Sequence, residues 1–106
     1  MAKLSDTAFV ILFCLGQVQG QSLHGYALLQ HAQVHNGTTL RTGALYPQLT
    51  QLAQHGLIEE TPGRQDEDAR RRHYRITPLG MRVCAEQVRE RSLLARRIME
   101  WQEGSP

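Results

Sequence analysis

The sequence has 106 residues, which is enough for one domain with a modest hydrophobic core. Hydrophobic residues make up 41% of it and charged residues 21%, a balance typical of a folded globular chain rather than a disordered one. Its longest apolar run, residues 8–15, is far shorter than the roughly 20 residues that a membrane-spanning helix needs. The N-terminus also lacks the pattern of a signal peptide, so we expect a cytoplasmic protein.

The net charge of +2 is small, but the cationic residues are unevenly placed along the chain. Eleven of the twelve lie from Arg41 onward, and all eleven are arginine. Arginine carries a planar, forked guanidinium that fits phosphates and base edges, whereas lysine would serve equally well on a merely soluble surface. The distribution therefore favours a nucleic-acid partner.

The first predicted helix covers residues 6–18, with Ser5 as its N-cap and Gly20 closing it. Nearly every side of this helix is apolar, so it must be buried from more than one direction. In so small a domain, the second direction points to another subunit.

Two further helices follow. Ser22 opens a second helix that runs to about Val34, and Asn36-Gly37 stops it. After a short connector at residues 39–41, Thr42 caps a third helix that ends near residue 54. Leucines recur in the third helix at steps of four and three, which predicts one buried stripe.

From residue 57 onward, the spacing of apolar residues changes from the helical pattern to a period of two residues. Residues 57–61 and 72–77 predict two strands around a polar loop, a hairpin of the kind called a wing. Gly56 before them suits a left-handed helix end, and Tyr74 and Ile76 share one strand face. Thr77-Pro78 then caps a long last helix to about residue 102.

This element order predicts a mainly α fold with a small β-hairpin, a winged helix-turn-helix. We expect one compact domain in which residues 1–77 bind DNA and residues 78–106 form a C-terminal dimerisation helix. The last helix has few neighbours in its own chain, which favours a two-fold dimer that would match a two-fold operator. The predicted interface residues are Phe9, Leu12, Phe13, Cys84, Val88, Leu94, Ile98 and Trp101.

Four segments carry a resemblance to one family. They are HGY at residues 24–26, GALYPQL at 43–49, GLI at 56–58 and RRHYRITPLG at 71–80. In this order and spacing they resemble the PadR family of transcriptional regulators, over about residues 4–88. Each segment alone is a weak signal, whereas the four together are specific.

The resemblance implies a cytoplasmic homodimer, usually a repressor, whose third helix enters the major groove and whose wing touches neighbouring DNA. It implies release from DNA by a small molecule or another signal, so the expected partners are operator DNA, a second copy and an unknown effector. Some short members bind flat aromatic drugs between interface tryptophans. Here Arg91 aligns with that position, and the one tryptophan is Trp101.

The residues expected to contact DNA fall into two groups. The third helix presents an uncharged polar side for close approach to bases, with the Tyr46 hydroxyl placed to hold a phosphate. Its predicted contacts are Thr42, Gly43, Tyr46, Pro47, Thr50 and Gln51. The predicted phosphate-binding residues around it are Thr39, Arg41, Arg64, Arg70, Arg71 and Arg72. Residues 66–68, an acidic triplet, would repel phosphates, so we expect the wing to contribute through its base.

Pro47 falls near the fifth position of the third helix and lacks a backbone donor. We expect it to bend or loosen the first turn of that helix.

Other functions are less well supported by the residues. Cys14 and Cys84 read as buried thiols rather than a redox pair. His31 and His35, on one helix face with His24, could hold a metal, but further ligands are missing nearby, so we expect no metal or cofactor. No phosphate loop, serine elbow or carboxylate pair indicates an enzyme.

The main alternative is a winged-helix module that binds a partner protein instead of DNA.

Overall fold

The computed structural model of the chain describes residues 4–19, 21–61 and 72–104. Four helices and a small antiparallel sheet confirm the predicted winged-helix class. The elements in chain order are α1 (Asp6–Gln17), β1 (Leu23–His24), α2 (Gly25–Asn36), α3 (Thr42–Gln54), β2 (Ile58–Thr61), β3 (His73–Ile76) and α4 (Pro78–Gly104). No helix in the described ranges combines the length and apolarity that crossing a membrane requires.

Helix α1 lies at the centre of the core. Its N-cap is Ser5, as predicted, because the Ser5 hydroxyl accepts a hydrogen bond from the Ala8 amide at 3.1 Å. The apolar sides of α1 pack against α2, α3, α4 and β3 of the same chain, and Ile11 and Leu15 are fully buried there. Phe9, Val10 and Phe13 of α1 are only partly buried in this chain, so the expectation that another subunit covers that side stays a prediction.

Helix α2 begins later than predicted, with its N-cap two residues after Ser22. Ser22 is not its cap, because Leu23 and His24 are extended and pair with β3 as a short third strand. The cap is His24, whose Nδ1 accepts a hydrogen bond from the Ala27 amide at 3.1 Å. The helix ends at Gly37, which takes the left-handed conformation with φ of 62°. A hairpin alone was predicted, whereas the sheet has three strands in the order β1-β3-β2.

The strand register determines which side chains share a face of the sheet. Glu60 pairs with Tyr74 and Ile58 with Ile76, so these four side chains lie on the face toward the helices. Tyr74 and Ile76 are both buried, as their predicted shared face required. Side chains at the alternate positions, including Glu59 and Arg75, lie on the opposite face.

Helix α3 is held by its buried leucine stripe, Leu45, Leu49 and Leu52. Its N-cap is Arg41 without a side-chain hydrogen bond, so the predicted capping role of Thr42 is wrong and Thr42 is the first helical residue. The helix continues through Pro47, whose missing amide falls within its first turns.

Helix α4 starts from a tight junction with the end of α3. The Thr77 hydroxyl accepts a hydrogen bond from the Gly80 amide at 3.0 Å, which confirms the predicted cap. The same hydroxyl donates to the Gly56 carbonyl at 2.6 Å, and Gly56 is left-handed as predicted, with φ of 74°. The first half of α4 packs on α1, whereas every residue from 92 to 103 is exposed.

Candidate nucleic-acid interface

The side of α3 opposite the leucine stripe is open to solvent. All eight predicted contacts on and just before this helix are exposed: Thr39, Arg41, Thr42, Gly43, Tyr46, Pro47, Thr50 and Gln51. Apart from Arg41 they carry no charge, so this surface offers hydroxyl and amide groups without the desolvation cost of buried charges. We call this set of eight residues the α3 surface.

Tyr46 connects the α3 surface to the start of α2. A Cβ built at Gly25 would lie 2.9 Å from the Tyr46 hydroxyl oxygen, so only glycine leaves room for the ring in this position. The phenol is 36% exposed, which keeps its hydroxyl accessible beside the first turn of α2. The contact fixes the angle at which Tyr46 leaves α3.

Thr50 has part of its hydrogen-bonding capacity occupied. Its hydroxyl donates to the Tyr46 carbonyl one turn earlier, at 3.0 Å. A threonine hydroxyl has one proton and two acceptor lone pairs, so Thr50 keeps only acceptor capacity for a ligand. Its natural partner on a base edge is therefore an amino group.

The arginines predicted at the base of the wing are only partly covered by the structure. Arg64, Arg70 and Arg71 lie outside the described residues, as does the acidic triplet at 66–68. Arg72 is exposed, and its Nε lies 2.8 Å from Glu60 Oε1. Arg75 was not among the predicted phosphate-binding residues. It forms an ion pair with Glu59 on the other face of the sheet.

Tyr74 lies beneath the Arg72–Glu60 pair. Burial raises the pKa of its phenol above the ordinary value of 10.0, and the negative charge of Glu60 raises that pKa further while Arg72 opposes the shift. Tyr46 adds a smaller upward effect. Strand β2, which carries Glu60, packs against α3, so the base of the wing lies beside that helix.

A family model described as the transcriptional regulator PadR-like family matches residues 12–86, more than half of the chain. The chain belongs to the PadR-like family of transcriptional regulators. The match runs from the second half of α1 to about the first third of α4 and includes the α3 surface. No match appears in a comparison with curated protein sequences.

Solved structures with the same fold include other PadR regulators. A PadR-family regulator from Eggerthella lenta is 26% identical, with a TM-score of 0.69 over 91% of this chain and 83% of its own. A transcriptional regulator from Clostridium thermocellum is 23% identical, with a TM-score of 0.73 over 92% and 97%. A PadR-family regulator from Clostridium difficile is 15% identical, with a TM-score of 0.75 over 92% and 99%. The last two support the fold alone.

The predicted interface residues of this PadR-family chain divide by exposure. Leu12 is fully buried within its own chain and presents no side-chain surface to a partner, whereas Cys84 is 7% exposed and lines an apolar groove between α1 and α4. Phe9 and Phe13 are half-buried on α1, stacked with ring centroids 5.9 Å apart, and Val88 is half-buried on α4. The distal members are largely exposed: Leu94, Ile98 and Trp101.

Two further features surround the half-buried phenylalanines. An apolar groove of about 380 Å³ runs between α1 and α4, lined by Phe13, Met81 and Val88 among others. Next to it, the Arg91 guanidinium lies 3.7 Å from the centroid of the Phe9 ring. The residue that aligns with the family's tryptophan position thus packs on α1 as a cation over an aromatic face.

Among the described residues, the histidines and cysteines form no metal-binding cluster. His31 and His35 stack with centroids 4.4 Å apart, whereas His24 caps α2 and contacts His73 instead of joining them. Across the described ranges, no three His, Cys, Asp or Glu side chains converge in a way that could hold a metal ion. Cys14 and Cys84 are buried as predicted, and burial raises the pKa of both thiols.

Proposed function

We propose that this PadR-family regulator is a sequence-specific DNA-binding repressor that acts as a homodimer on a palindromic operator. The observation that carries the proposal is the α3 surface, an exposed and nearly uncharged set of residues on and just before a helix whose other side is a buried leucine stripe. A helix of this kind enters the major groove closely, because no bulky charge holds it away from the base edges.

In this proposal the two groups of residues have different tasks. Thr42, Thr50 and Gln51 read base edges, with Thr50 as an acceptor because its proton is already donated within α3. Tyr46 and Arg41 hold phosphates on either side. Arg72 and the arginines predicted at positions 64, 70 and 71 neutralise further phosphates and make binding sensitive to salt.

The proposed second copy covers the apolar surface that one chain leaves exposed. Leu94, Ile98 and Trp101 follow one another at steps of four and three along α4, so they form a single stripe on its distal half. A stripe of this length without a partner in its own chain would leave a long helix poorly stabilised. We propose that it packs against the partner's α1–α4 groove, beside Phe9 and Phe13.

The deciding experiment selects the DNA sequences that the protein binds from a random or genomic pool. It is combined with a measurement of the protein's molecular mass in solution. The proposal predicts enrichment of an inverted repeat and a mass of two chains. Gln51→Ala should relax the selected sequence at one position, because it removes a base contact. Enrichment of no sequence over the input pool would overturn the DNA-binding role and leave the protein-interaction module.

The dimer has its own matched pair of variants. Ile98→Ser removes the centre of the exposed stripe and should shift the mass toward one chain and weaken operator binding at least about tenfold, since two half-sites are then read separately. Arg96→Ser is the control, because residue 96 lies on the opposite side of α4 and is equally exposed. Equal masses for both variants would argue against this interface.

A further inference from the structure

The Arg72–Glu60 ion pair joins a proposed phosphate-binding arginine to an acidic residue of β2. Glu60 pairs with Tyr74 in the strand register, and Arg72 lies two residues before Tyr74, so alternation and the Arg72–Glu60 contact put all three on the helix-facing side. Strand β2, which carries Glu60, packs against α3, the helix that carries most of the proposed DNA contacts.

The neighbouring ion pair offers a natural comparison. Glu59 and Arg75 are adjacent to Glu60 and Tyr74 in sequence but point to the opposite face of the sheet. Both pairs are about half exposed: the side chains of Arg72 and Glu60 at 55% and 40%, and those of Arg75 and Glu59 at 50% and 49%. The two pairs are therefore similar in exposure and differ in the face of the sheet that they occupy.

We propose that Glu60 restrains DNA binding by competing with a DNA phosphate for Arg72. This inference rests on the proposed DNA-binding function and adds a residue that opposes it. In the free protein the Glu60 carboxylate neutralises Arg72, and in the complex a phosphate takes its place. Because exposed ion pairs are weak, the exchange is readily reversible and lowers affinity without preventing binding.

The consequence is a limit on the electrostatic part of the affinity. Phosphate contacts contribute to binding on any DNA sequence, so an acidic residue beside a phosphate-binding arginine weakens binding to operator and unrelated DNA alike. Glu60 also carries its own charge toward the DNA, which adds repulsion. A regulator with this residue dissociates more readily from non-operator DNA, where only phosphate contacts hold it.

The test compares Glu60→Gln with Glu59→Gln on the selected operator duplex and on a scrambled duplex, over a range of salt concentrations. Glu60→Gln should tighten binding to both duplexes about 3- to 10-fold and steepen the salt dependence by about one unit of slope, since one more cation becomes available. Glu59→Gln should change both quantities much less. Thermal unfolding of each variant checks that the fold is retained.

The role of Arg72 is tested by repeating the change in an Arg72→Gln background. There Glu60→Gln should lose most of its effect, because the arginine it restrains is gone. An undiminished effect, or equal effects of Glu59→Gln and Glu60→Gln, would overturn the inference while leaving DNA binding intact. Failure of the unaltered protein to bind any duplex would overturn the proposed function itself, and the inference with it.

Discussion

The Tyr46 hydroxyl occupies the space above Gly25 that a side chain would need. A Cβ at that position would come within 2.9 Å of the hydroxyl oxygen and 3.2 Å of the ring carbon that bears it. Helices α2 and α3 therefore meet at a phenol placed over a glycine. The placement matters for function because Tyr46 is a proposed phosphate contact whose direction the neighbour controls.

Gly25→Ala should impair DNA binding more than it impairs folding. The added methyl group pushes the Tyr46 ring aside, and we expect operator affinity to fall at least about fivefold, as for the loss of one contact. The phenol can move into solvent, so the thermal midpoint should change by only a few degrees. Fluorescence anisotropy and a melting curve measure the two effects.

A matched glycine tests the stability part of this expectation. A Cβ at Gly43, in the first turn of α3, meets nothing within 4 Å, so Gly43→Ala should leave the free protein at least as stable as before. If Gly25→Ala lowered the melting temperature by tens of degrees, the contact with Tyr46 would be a structural necessity of the fold and not an orienting device.

Gly80→Ala should be severely destabilising. A Cβ there would overlap the Leu57 carbonyl group, which is backbone and cannot rotate away, and would crowd Ile76 Cγ1 at 2.8 Å. The start of α4 would have to move away from the turn after α3, breaking the Thr77 bonds to Gly80 and Gly56. We expect a loss of about 3 kcal/mol or more in urea unfolding.

Gly16→Ala provides the contrast, since its Cβ would approach Met81 Sδ at an ordinary 3.5 Å. Its unfolding midpoint should stay within the range of a typical mild substitution. Similar midpoints for the two alanine variants would show that the α3–α4 junction is more adaptable than its packing indicates.

Local sequence patterns predicted the helices and the hairpin, but they did not predict the pairing of strands that are distant in sequence. The leucine stripe of α3 and the caps at Ser5 and Thr77 depend on residues within one or two turns, so periodicity identifies them. The strand at residues 23–24 forms only because β3, about fifty residues later, offers a free edge. Ser22 was consequently mistaken for the cap of α2.

In the candidate site too, features that depend on local sequence were predicted, whereas contacts between distant segments were not. Exposure of the α3 surface follows from the position of the leucine stripe, and the sequence predicted it correctly. The Arg72–Glu60 pair depends on the exact register of β2 against β3, and the Tyr46–Gly25 contact depends on the angle between two helices. Neither quantity is encoded in a short window of sequence, so Arg72 was predicted as a cation without its carboxylate.

Arg91 should stabilise the α1–α4 contact mainly through Phe9. Its guanidinium lies over the ring at 3.7 Å, while its ion pair with Asp6, at 3.4 Å, involves a fully exposed carboxylate and is screened by solvent. A double-mutant cycle of Arg91→Met and Phe9→Leu should give a coupling of about 0.5–1 kcal/mol in urea unfolding.

Asp6→Asn is the control for the ion pair, and it should reduce stability less than Arg91→Met does. All proteins are compared at one concentration, because association changes apparent stability. A coupling near zero between positions 9 and 91, with a larger effect of Asp6→Asn, would assign the contact to the ion pair instead.

The stability of the fold should fall as the pH is lowered through the ordinary histidine range, and His31 should be a main cause. Burial lowers the pKa of His31 below its ordinary value of 6.5, and the neighbouring His35 lowers that pKa further. Its Nδ1 is buried with no hydrogen-bond partner in the part of the chain that the structure describes. The folded state therefore binds a proton at His31 less readily than the unfolded state does.

The sign of the pH effect follows from this difference. Above pH 6.5 His31 is neutral in both states and contributes no pH dependence, whereas below it the unfolded state takes up a proton that the folded state resists. The melting temperature should thus drop between pH 7.5 and pH 5.5. His31→Gln should flatten that drop, and His35→Gln should flatten it less, because it removes only the smaller of the two causes. Parallel pH curves for all three proteins would show that other groups govern the acid sensitivity.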